Sequence, residues 1–299
     1  ALVRQVLWAG FGVGALFGMI AQRTHFCTMG AVADVVNIGD WTRMRMWLLA
    51  MGTAMLGFNA MVAMGWVKAS STAYAVPGWL WLSQIVGGLM FGFGMVLASG
   101  CGSKTLVRIG GGNLKSLVVF LVLGIAAFAT LRGLTAVLRV ATVDAVALEF
   151  PGGQDLPSLL AASTGVAKGT LAALIGIGLG GALLAWALLR REGRSADNLL
   201  GGLGIGAVIA ALWWVSGRLG HLAEHPETLQ EAFLATNSQR MESMTFVSPI
   251  AYTIDWLIFF SAKSKVLTIG IVTTVGVIVG SAIVALASRS FRWEGFRDA

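Results

Sequence analysis

Seven apolar segments, each about long enough to cross a bilayer, constrain this chain more than any other feature. They are residues 6–21, 44–66, 80–97, 117–137, 170–189, 199–215 and 266–287. A membrane-spanning helix needs about 20 predominantly apolar residues. Only 12% of the 299 residues are charged, about half the share found in soluble domains. The sequence therefore predicts an all-α integral membrane protein, a polytopic helical bundle embedded in a lipid bilayer.

The positive charges follow the pattern of membrane topology. The formal net charge is +7, and the Lys and Arg residues gather in short loops between the apolar segments. Cytoplasmic loops of membrane proteins carry such an excess. If the N-terminus lies outside, the basic residues of the inner loops are Arg23, Arg43, Arg45, Lys104, Arg108, Lys115, Arg190, Arg191, Arg194, Arg289, Arg292 and Arg297. We see no basic patch interleaved with aromatic residues, so we expect no nucleic-acid partner.

Three further apolar segments are too short to span a membrane: residues 26–36, 103–110 and 246–260. We interpret them as re-entrant or half helices. Cys27 and Cys101, the two cysteines of the chain, lie in glycine- and hydroxyl-rich breaks where a long helix gives way to a short one. Irregular backbone at membrane depth is tolerated only where it is buried in protein or lines a cavity. Both breaks are therefore candidate sites, although an isolated membrane cysteine is more often a small buried hydrophobe.

A shift of the chain on itself by 220 residues aligns Phe26 with Phe246 and Cys27 with Val247. Five spans precede the second copy, and this odd number predicts an inverted internal repeat with a site near the membrane midplane. We assign residues 1–299 to a single membrane domain, residues 1–195 to the first repeat with its following span, and residues 196–299 to the second. The counterpart of Cys101 would fall beyond Ala299, so we expect the C-terminal end of the natural protein to be missing.

Four motifs resemble the YeeE/YedE family of sulphur-compound transporters. They are the segments of residues 22–31, 99–108, 110–116 and 291–296. The resemblance implies a multi-pass protein of the bacterial inner membrane that imports thiosulfate or a related sulphur anion along an hourglass-shaped path. Motif cysteines line that path, no cofactor or metal is needed, and a cytoplasmic sulphur-transferase is a family-level partner. Family members carry a third motif cysteine, which this chain does not contain.

The chemistry of thiosulfate fits the residues at the breaks. Helix N-termini offer free N–H groups and partial positive charge to an anion. Gly100, Gly102 and Ser103 are expected to let the backbone approach the anion closely. The thiols of Cys27 and Cys101 add soft, polarisable partners for its terminal sulphur. We read the two cysteines as two stations on one path.

Neighbouring polar residues have both a functional and a structural interpretation. Thr28 follows the first cysteine and is a candidate substrate contact. His25 could favour the Cys27 thiolate or contact the anion, but a lone histidine is more often simply hydrogen-bonded in place. Lys104 and Arg108 lie one turn apart and could draw an anion towards the site, or serve as ordinary positive-inside anchors.

Three more motifs complete the candidates. Asp34 and Asp255 lie near membrane-depth segments, where ionisable groups are functional candidates, for example in proton coupling. The Gly110-Gly111-Gly112 run lacks the lysine and strand context of a phosphate loop. We interpret it as a hinge or tight turn, with Asn113 as the N-cap of the next helix.

A membrane thiol-disulfide oxidoreductase that relays electrons through Cys27 and Cys101 is the alternative function. It would favour a Cys-x-x-Cys pair and a quinone or haem site. The sequence has no Cys-x-x-Cys pair. The sequence therefore favours a transporter over an enzyme.

Overall fold

The computed structural model describes residues 2–72, 74–150, 152–224, 229–262 and 265–296. Within these ranges it is built almost entirely from α-helices. They are α1 (Leu2–Thr24), α2 (Thr28–Ile38), α3 (Thr42–Ala63), α4 (Trp81–Leu97), α5 (Gly102–Gly110), α6 (Leu114–Arg132), α7 (Leu134–Ala141), α8 (Leu156–Thr164), α9 (Lys168–Leu188), α10 (Ala196–Trp214), α11 (Val247–Ile258) and α12 (Ile269–Ala287). Arg297, an inner-loop residue named above, lies outside the described residues.

Seven helical segments among the described residues are long and apolar enough to cross a membrane. They contain α1, α3, α4, α6, α9, α10 and α12 and coincide with the seven segments predicted above. Lipid offers the backbone no hydrogen-bond partners, so a long apolar run satisfies its own N–H and C=O groups as a helix. The prediction of an all-α polytopic membrane protein is confirmed.

The three short apolar segments are also helical. Helices α2, α5 and α11 occupy the segments predicted as half helices, with 11, 9 and 12 residues respectively. At about 1.5 Å rise per residue, none of them could cross a bilayer by itself. Each begins inside the protein, next to the others, as described below.

One predicted span is wrong at its C-terminal end. The sequence suggested one helix over residues 117–137, but Gly133 is extended (φ −103°, ψ −153°) and separates α6 from α7. A side chain on Gly133 would have its Cβ 2.8 Å from the Cα of Ala129, so the turn requires glycine. Because the residues on both sides of this break are apolar, hydropathy does not reveal it.

The polar connections between the spans contain the remaining secondary structure. Strand β1 (Gly78–Trp79) pairs antiparallel with β2 (Leu148–Glu149), and β3 (His221–Leu222) pairs antiparallel with β4 (Ala232–Phe233). Helix α8 begins at Asp155, whose carboxylate accepts a hydrogen bond from the Ser158 N–H at 3.0 Å. The β1–β2 pairing joins the connection before α4 to the one after α7, and the β3–β4 pairing lies within the connection between α10 and α11.

Helices α1 and α12 pack with their backbones in close contact. Gly10, Gly14 and Gly18 follow one another at four-residue spacing along the face of α1 that meets α12. A Cβ on Gly14 would lie 2.5 Å from the carbonyl oxygen of Thr273. Small residues at such spacing are the usual means by which membrane helices approach closely.

Helix α3 lies between α9 and α10 and contacts both through glycines. A Cβ on Gly52 would lie 2.8 Å from the Gly180 oxygen of α9, and a Cβ on Gly206 of α10 would lie 2.6 Å from the Ala50 oxygen. The central buried cluster joins side chains of several helices: Phe17, Ala21, Ala50, Leu106, Phe120, Ile205, Val208, Ile250, Ile254 and Val277. The short helices α5 and α11 thus contribute to the core itself.

The predicted inner loops meet at one end of the bundle. The Asn198 side chain donates to the backbone oxygens of Thr42 at 3.2 Å and Glu192 at 2.7 Å, joining the starts of α3 and α10. At the same end, the Leu114 N–H donates to the Glu294 oxygen at 3.0 Å. The grouping of these loops at one end agrees with the loop assignment from charge.

The inverted repeat, with one copy in residues 1–195 and the other in residues 196–299, stays a prediction.

Candidate functional site

Cys27 is the N-cap of α2. Its backbone is extended (φ −157°, ψ 122°), and its Sγ accepts a hydrogen bond from the Gly30 N–H at 3.3 Å. The chain reaches it from α1 through His25, which has a left-handed backbone (φ 53°) and an exposed side chain. The thiol itself is buried. A polar side chain at an N-cap satisfies one of the free N–H groups of the first turn.

Cys101 occupies the same position on α5. It is the N-cap of that helix, and its Sγ lies 3.1 Å from the Ser103 hydroxyl. Two residues earlier, Ser99 has a left-handed backbone (φ 55°), just as His25 precedes Cys27 by two residues. The two breaks are therefore built alike: a long helix ends, one left-handed residue turns the chain, and a cysteine caps a short helix.

Both cysteines are free thiols, and their side chains lie near each other in the folded protein. Among the described residues, the hydrogen-bond partners of the two sulphurs are the Gly30 N–H for Cys27 and the Ser103 hydroxyl for Cys101. The two positions are far apart along the chain and come from different breaks, so this proximity is created by tertiary packing, in which α12 contacts both α1 and α5. That the two cysteines act as two stations on one path stays a prediction.

A third helix start adjoins this cysteine pair. Helix α11 is capped by Phe246, whose ring packs on Phe17 with centroids 5.1 Å apart. A Cβ on Gly102 of α5 would lie 3.1 Å from the Phe246 Cβ. The starts of α2, α5 and α11 therefore converge. Each start presents N–H groups and partial positive charge to the space between them.

A cavity of about 780 Å³ opens on one side of the cysteine pair. We call it the apolar cavity, since most of the residues that line it are apolar. Its lining residues include Phe17, Phe26, Thr28, Trp47, Met51, Met55, Phe91, Met95, Cys101, Gly102, Ser103, Thr245, Phe246, Val247 and Ser248. First residues of all three short helices thus border one space.

A second cavity, of about 870 Å³, opens next to Cys27. We call it the basic cavity, since its lining includes Arg23, His25, Cys27, Arg43, Lys104, Arg108, Lys115 and Glu294. Phe26 lines both cavities, and each cavity contains one cysteine of the pair. The pair therefore lies where an apolar and a cationic space approach each other. Sequence reasoning did not place Arg43 and Lys115 at the site, because their proximity to it arises only in the folded bundle.

The remaining predicted site residues lie around the pair. Thr28 lines the apolar cavity and accepts a hydrogen bond from Trp47 Nε1 at 3.1 Å. Lys104 and Arg108 line the basic cavity, and Arg108 Nη1 donates to the Ser99 oxygen at 3.2 Å. Lys104 and Cys27 line the same basic cavity.

The structure gives Gly100 a different reason for lacking a side chain. A Cβ there would lie 2.8 Å from Cδ and 3.2 Å from Cβ and Cγ of Lys104. The lysine stem passes over Gly100, so the missing side chain makes room for Lys104. The close approach of an anion to the Gly100 backbone stays a prediction.

The two acidic candidates are both in ion pairs. Asp34 on α2 lies 3.3 Å from Arg43 Nε, and buried Asp255 on α11 pairs with Lys265. The glycine run ends in a turn at Gly112 (φ 95°), and Asn113 caps α6 by accepting from the Ser116 N–H at 2.9 Å. The prediction of a tight turn followed by an Asn113 cap is confirmed.

Together these features define a helical membrane protein with broken helices whose short-helix starts meet between two cavities, an arrangement typical of transporters. A family model described as "Sulphur transport" matches residues 23–299. The chain belongs to the sulphur transport family, which confirms the resemblance noted from its motifs.

Several named relatives support this assignment. The chain is 24% identical over 296 residues to "Thiosulfate transporter TsuA" of Escherichia coli, covering 96% of this chain and 77% of that protein. It is 31% identical over 128 residues to the protein of the same name from Spirochaeta thermophila, covering 43% of this chain and 37% of that protein. A "Probable transporter YedE" of Escherichia coli matches 33% of this chain at 30% identity. The matched region thus spans well under two thirds of the Spirochaeta protein.

Proposed function

We propose that this chain is a transporter for thiosulfate or a closely related sulphur anion, with Cys27 and Cys101 as the central substrate contact. The observation that carries the proposal is the convergence of three helix starts on a pair of free thiols between two cavities. Two relatives are named thiosulfate transporters. Because these relatives are named transporters, we assign this chain to the transporters rather than to the enzymes.

The main physical problem for such a transporter is the hydration of a dianion. Moving an isolated ion into a medium of low dielectric costs tens of kcal/mol by a Born estimate, so the protein must replace the lost water. The N–H groups of three helix starts supply fixed donors without a permanent charge. Because none of these donors carries a full charge, the bound anion can also leave, as conduction requires.

The thiols add selectivity for sulphur. A thiol is a weak donor and a polarisable partner, so it matches the soft terminal sulphur of thiosulfate better than the hard oxygen in the same place on sulfate. Cys101 is also held by the Ser103 hydroxyl and Cys27 by the Gly30 N–H. These contacts restrict the rotation of both thiol side chains.

The charge distribution supports inward transport. The basic cavity lies at the end of the bundle where the basic loops gather, and such loops face the cytoplasm of membrane proteins. We propose that the anion passes the cysteine pair from the apolar cavity and is collected by the basic cavity, in a bacterial inner membrane. A cytoplasmic sulphur-transferase that takes the anion from this mouth stays an expectation from the family resemblance.

The test is uptake of labelled thiosulfate by the purified chain in liposomes. We expect uptake by the unmodified chain and none by Cys101→Ala, with both incorporated equally into the membrane. Thr130→Ala is a matched control, since Thr130 lines the same cavity but bonds to the Ala126 oxygen; it should retain uptake. Undiminished uptake by Cys101→Ala would refute the role of the pair.

The proximity of two free thiols is also what a thiol-disulfide relay would need. Alkylation of the thiols during turnover separates the two functions. A transporter keeps both cysteines reduced and open to alkylation throughout. Cycling between a reduced and a disulfide form that depends on added electron donor would support the oxidoreductase instead.

A further inference from the structure

Arg43 lies beside Cys27 although it belongs to a different helix. It is in the first turn of α3, and α2 and α3 are held together by the contact between Trp47 Nε1 and Thr28 Oγ1 at 3.1 Å. Its side chain lines the basic cavity, as does Cys27. No motif pointed to this residue, which the sequence marks only as one of several loop arginines.

The position of the guanidinium is fixed by the absence of a side chain at Gly30. A Cβ on Gly30 would lie 2.7 Å from Arg43 Nη1 and 3.7 Å from Cys27 Sγ. The guanidinium and the thiol therefore border the same small volume over the first turn of α2. Gly30 is itself the residue whose N–H donates to the Cys27 sulphur.

Asp34 holds this guanidinium from the opposite edge. Its Oδ2 lies 3.3 Å from Arg43 Nε, and the two side chains are 24% and 46% exposed. Such a hydrated ion pair contributes little to stability, so stability alone does not explain it. Because Asp34 engages the Nε edge, the Nη1 edge stays directed at Gly30 and Cys27.

We propose that Arg43 binds the oxyanion end of the sulphur anion while its terminal sulphur is at Cys27, and that Asp34 is the positioning residue for that guanidinium. This inference rests on the proposed function and adds a residue to it. A planar guanidinium donates two parallel hydrogen bonds to oxyanions, which a lysine ammonium cannot do. The partial neutralisation by Asp34 keeps the contact weak enough for release into the basic cavity.

The first test measures the concentration dependence of thiosulfate uptake in liposomes. Arg43→Gln should raise KM about tenfold or more, as expected when a hydrogen bond to a charged group is lost, while the maximal rate changes less. Arg43→Lys should give an intermediate KM, because the charge remains and the paired donors do not. A KM within twofold of the unmodified chain for both variants would overturn the proposal.

The second test displaces the guanidinium without removing it. Gly30→Ala puts a methyl group 2.7 Å from Arg43 Nη1, so the guanidinium must move. The variant should raise KM severalfold, although alanine favours the helix itself. Gly12→Ala is the matched control, since a Cβ on Gly12 would meet nothing within 4 Å. Equal KM values for the two glycine variants would overturn the proposed position of Arg43.

A double-mutant cycle tests whether Asp34 acts through Arg43. Asp34→Asn should change KM in the unmodified chain and have no further effect in the Arg43→Gln background. Equal effects in both backgrounds would refute the positioning role.

The outcomes of these experiments also distinguish this inference from the proposed function. If the unmodified chain takes up no thiosulfate, the function fails; if Cys101→Ala loses uptake while the Arg43 variants keep a normal KM, only this inference fails.

Discussion

The interface between α1 and α12 has no room for one added methyl group at Gly14, and this allows a quantitative test of the fold. A Cβ there would lie 2.5 Å from the Thr273 oxygen and 2.8 Å from its Cα. Ordinary contacts begin at 3.4 Å. Both opposing atoms belong to the backbone, so no side-chain rotation relieves the clash. Gly14→Ala should therefore separate the helices by about 0.9 Å, at a cost of about 1–3 kcal/mol for overpacking.

The same displacement should reach the cysteine pair. Helix α1 leads directly into the break that contains Cys27, and α12 supports α5, since a Cβ on Gly110 would lie 2.5 Å from the Ile278 oxygen. A shift of α12 relative to α1 therefore moves Cys101 relative to Cys27. A displacement near 1 Å can lower the rate at a site on the order of 100-fold.

The assay compares Gly14→Ala with Gly12→Ala, which lies on the same helix with open space around its Cβ position. Denaturation in detergent gives the change in unfolding free energy, and liposome uptake gives the rate. Gly12→Ala should be neutral or slightly stabilising, because alanine has the higher helix propensity. If Gly14→Ala matches Gly12→Ala within about 0.5 kcal/mol and keeps full uptake, the argument from close backbone packing is wrong.

Two further predictions follow from local contacts. Gly112→Ala should detach residues 290–296 from their turn, because Gly112 has a positive φ of 95° and an added Cβ would lie 3.0 Å from the Arg292 carbonyl carbon. Limited proteolysis should then cut the C-terminal segment faster in Gly112→Ala than in the control variant Gly111→Ala. Equal cleavage rates in the two variants would contradict this prediction. Arg45→Gln should lower the free energy of unfolding by about 1.5–3 kcal/mol, because Arg45 Nη1 donates to the Trp186 oxygen at 2.9 Å and its guanidinium lies 4.4 Å from that indole ring centroid. An unchanged denaturation midpoint would show that this contact is dispensable.

The spans and the helix breaks were predictable because both depend on local composition. Apolar length identifies a membrane helix, and lipid leaves the backbone no alternative. The cysteines could be recognised as break residues because glycine and hydroxyl residues surround them. Hydropathy failed at Gly133, where the conformation of one residue divides an apolar run whose composition does not change.

Site residues differed in how far a motif could reveal them. Lys104 and Arg108 follow Cys101 on the same helix, so helical spacing brings them to it. Gly100 stays a predicted anion contact. Its proximity to the Lys104 side chain could not be predicted from residue spacing, because it depends on the rotamer of that lysine. Arg43 carried no signal at all, since its proximity to Cys27 depends on how α3 packs against α2.

Membrane insertion, helix starts and charge bias depend on consecutive residues, so they can be predicted from the sequence alone. The pairing of Cys27 with Cys101, the meeting of three helix starts and the separation of an apolar from a basic cavity are not. They depend on backbone-to-backbone packing at glycines such as Gly14, where the allowed distance is set by atoms of both helices at once. Tertiary packing alone therefore brings the two breaks together into one site.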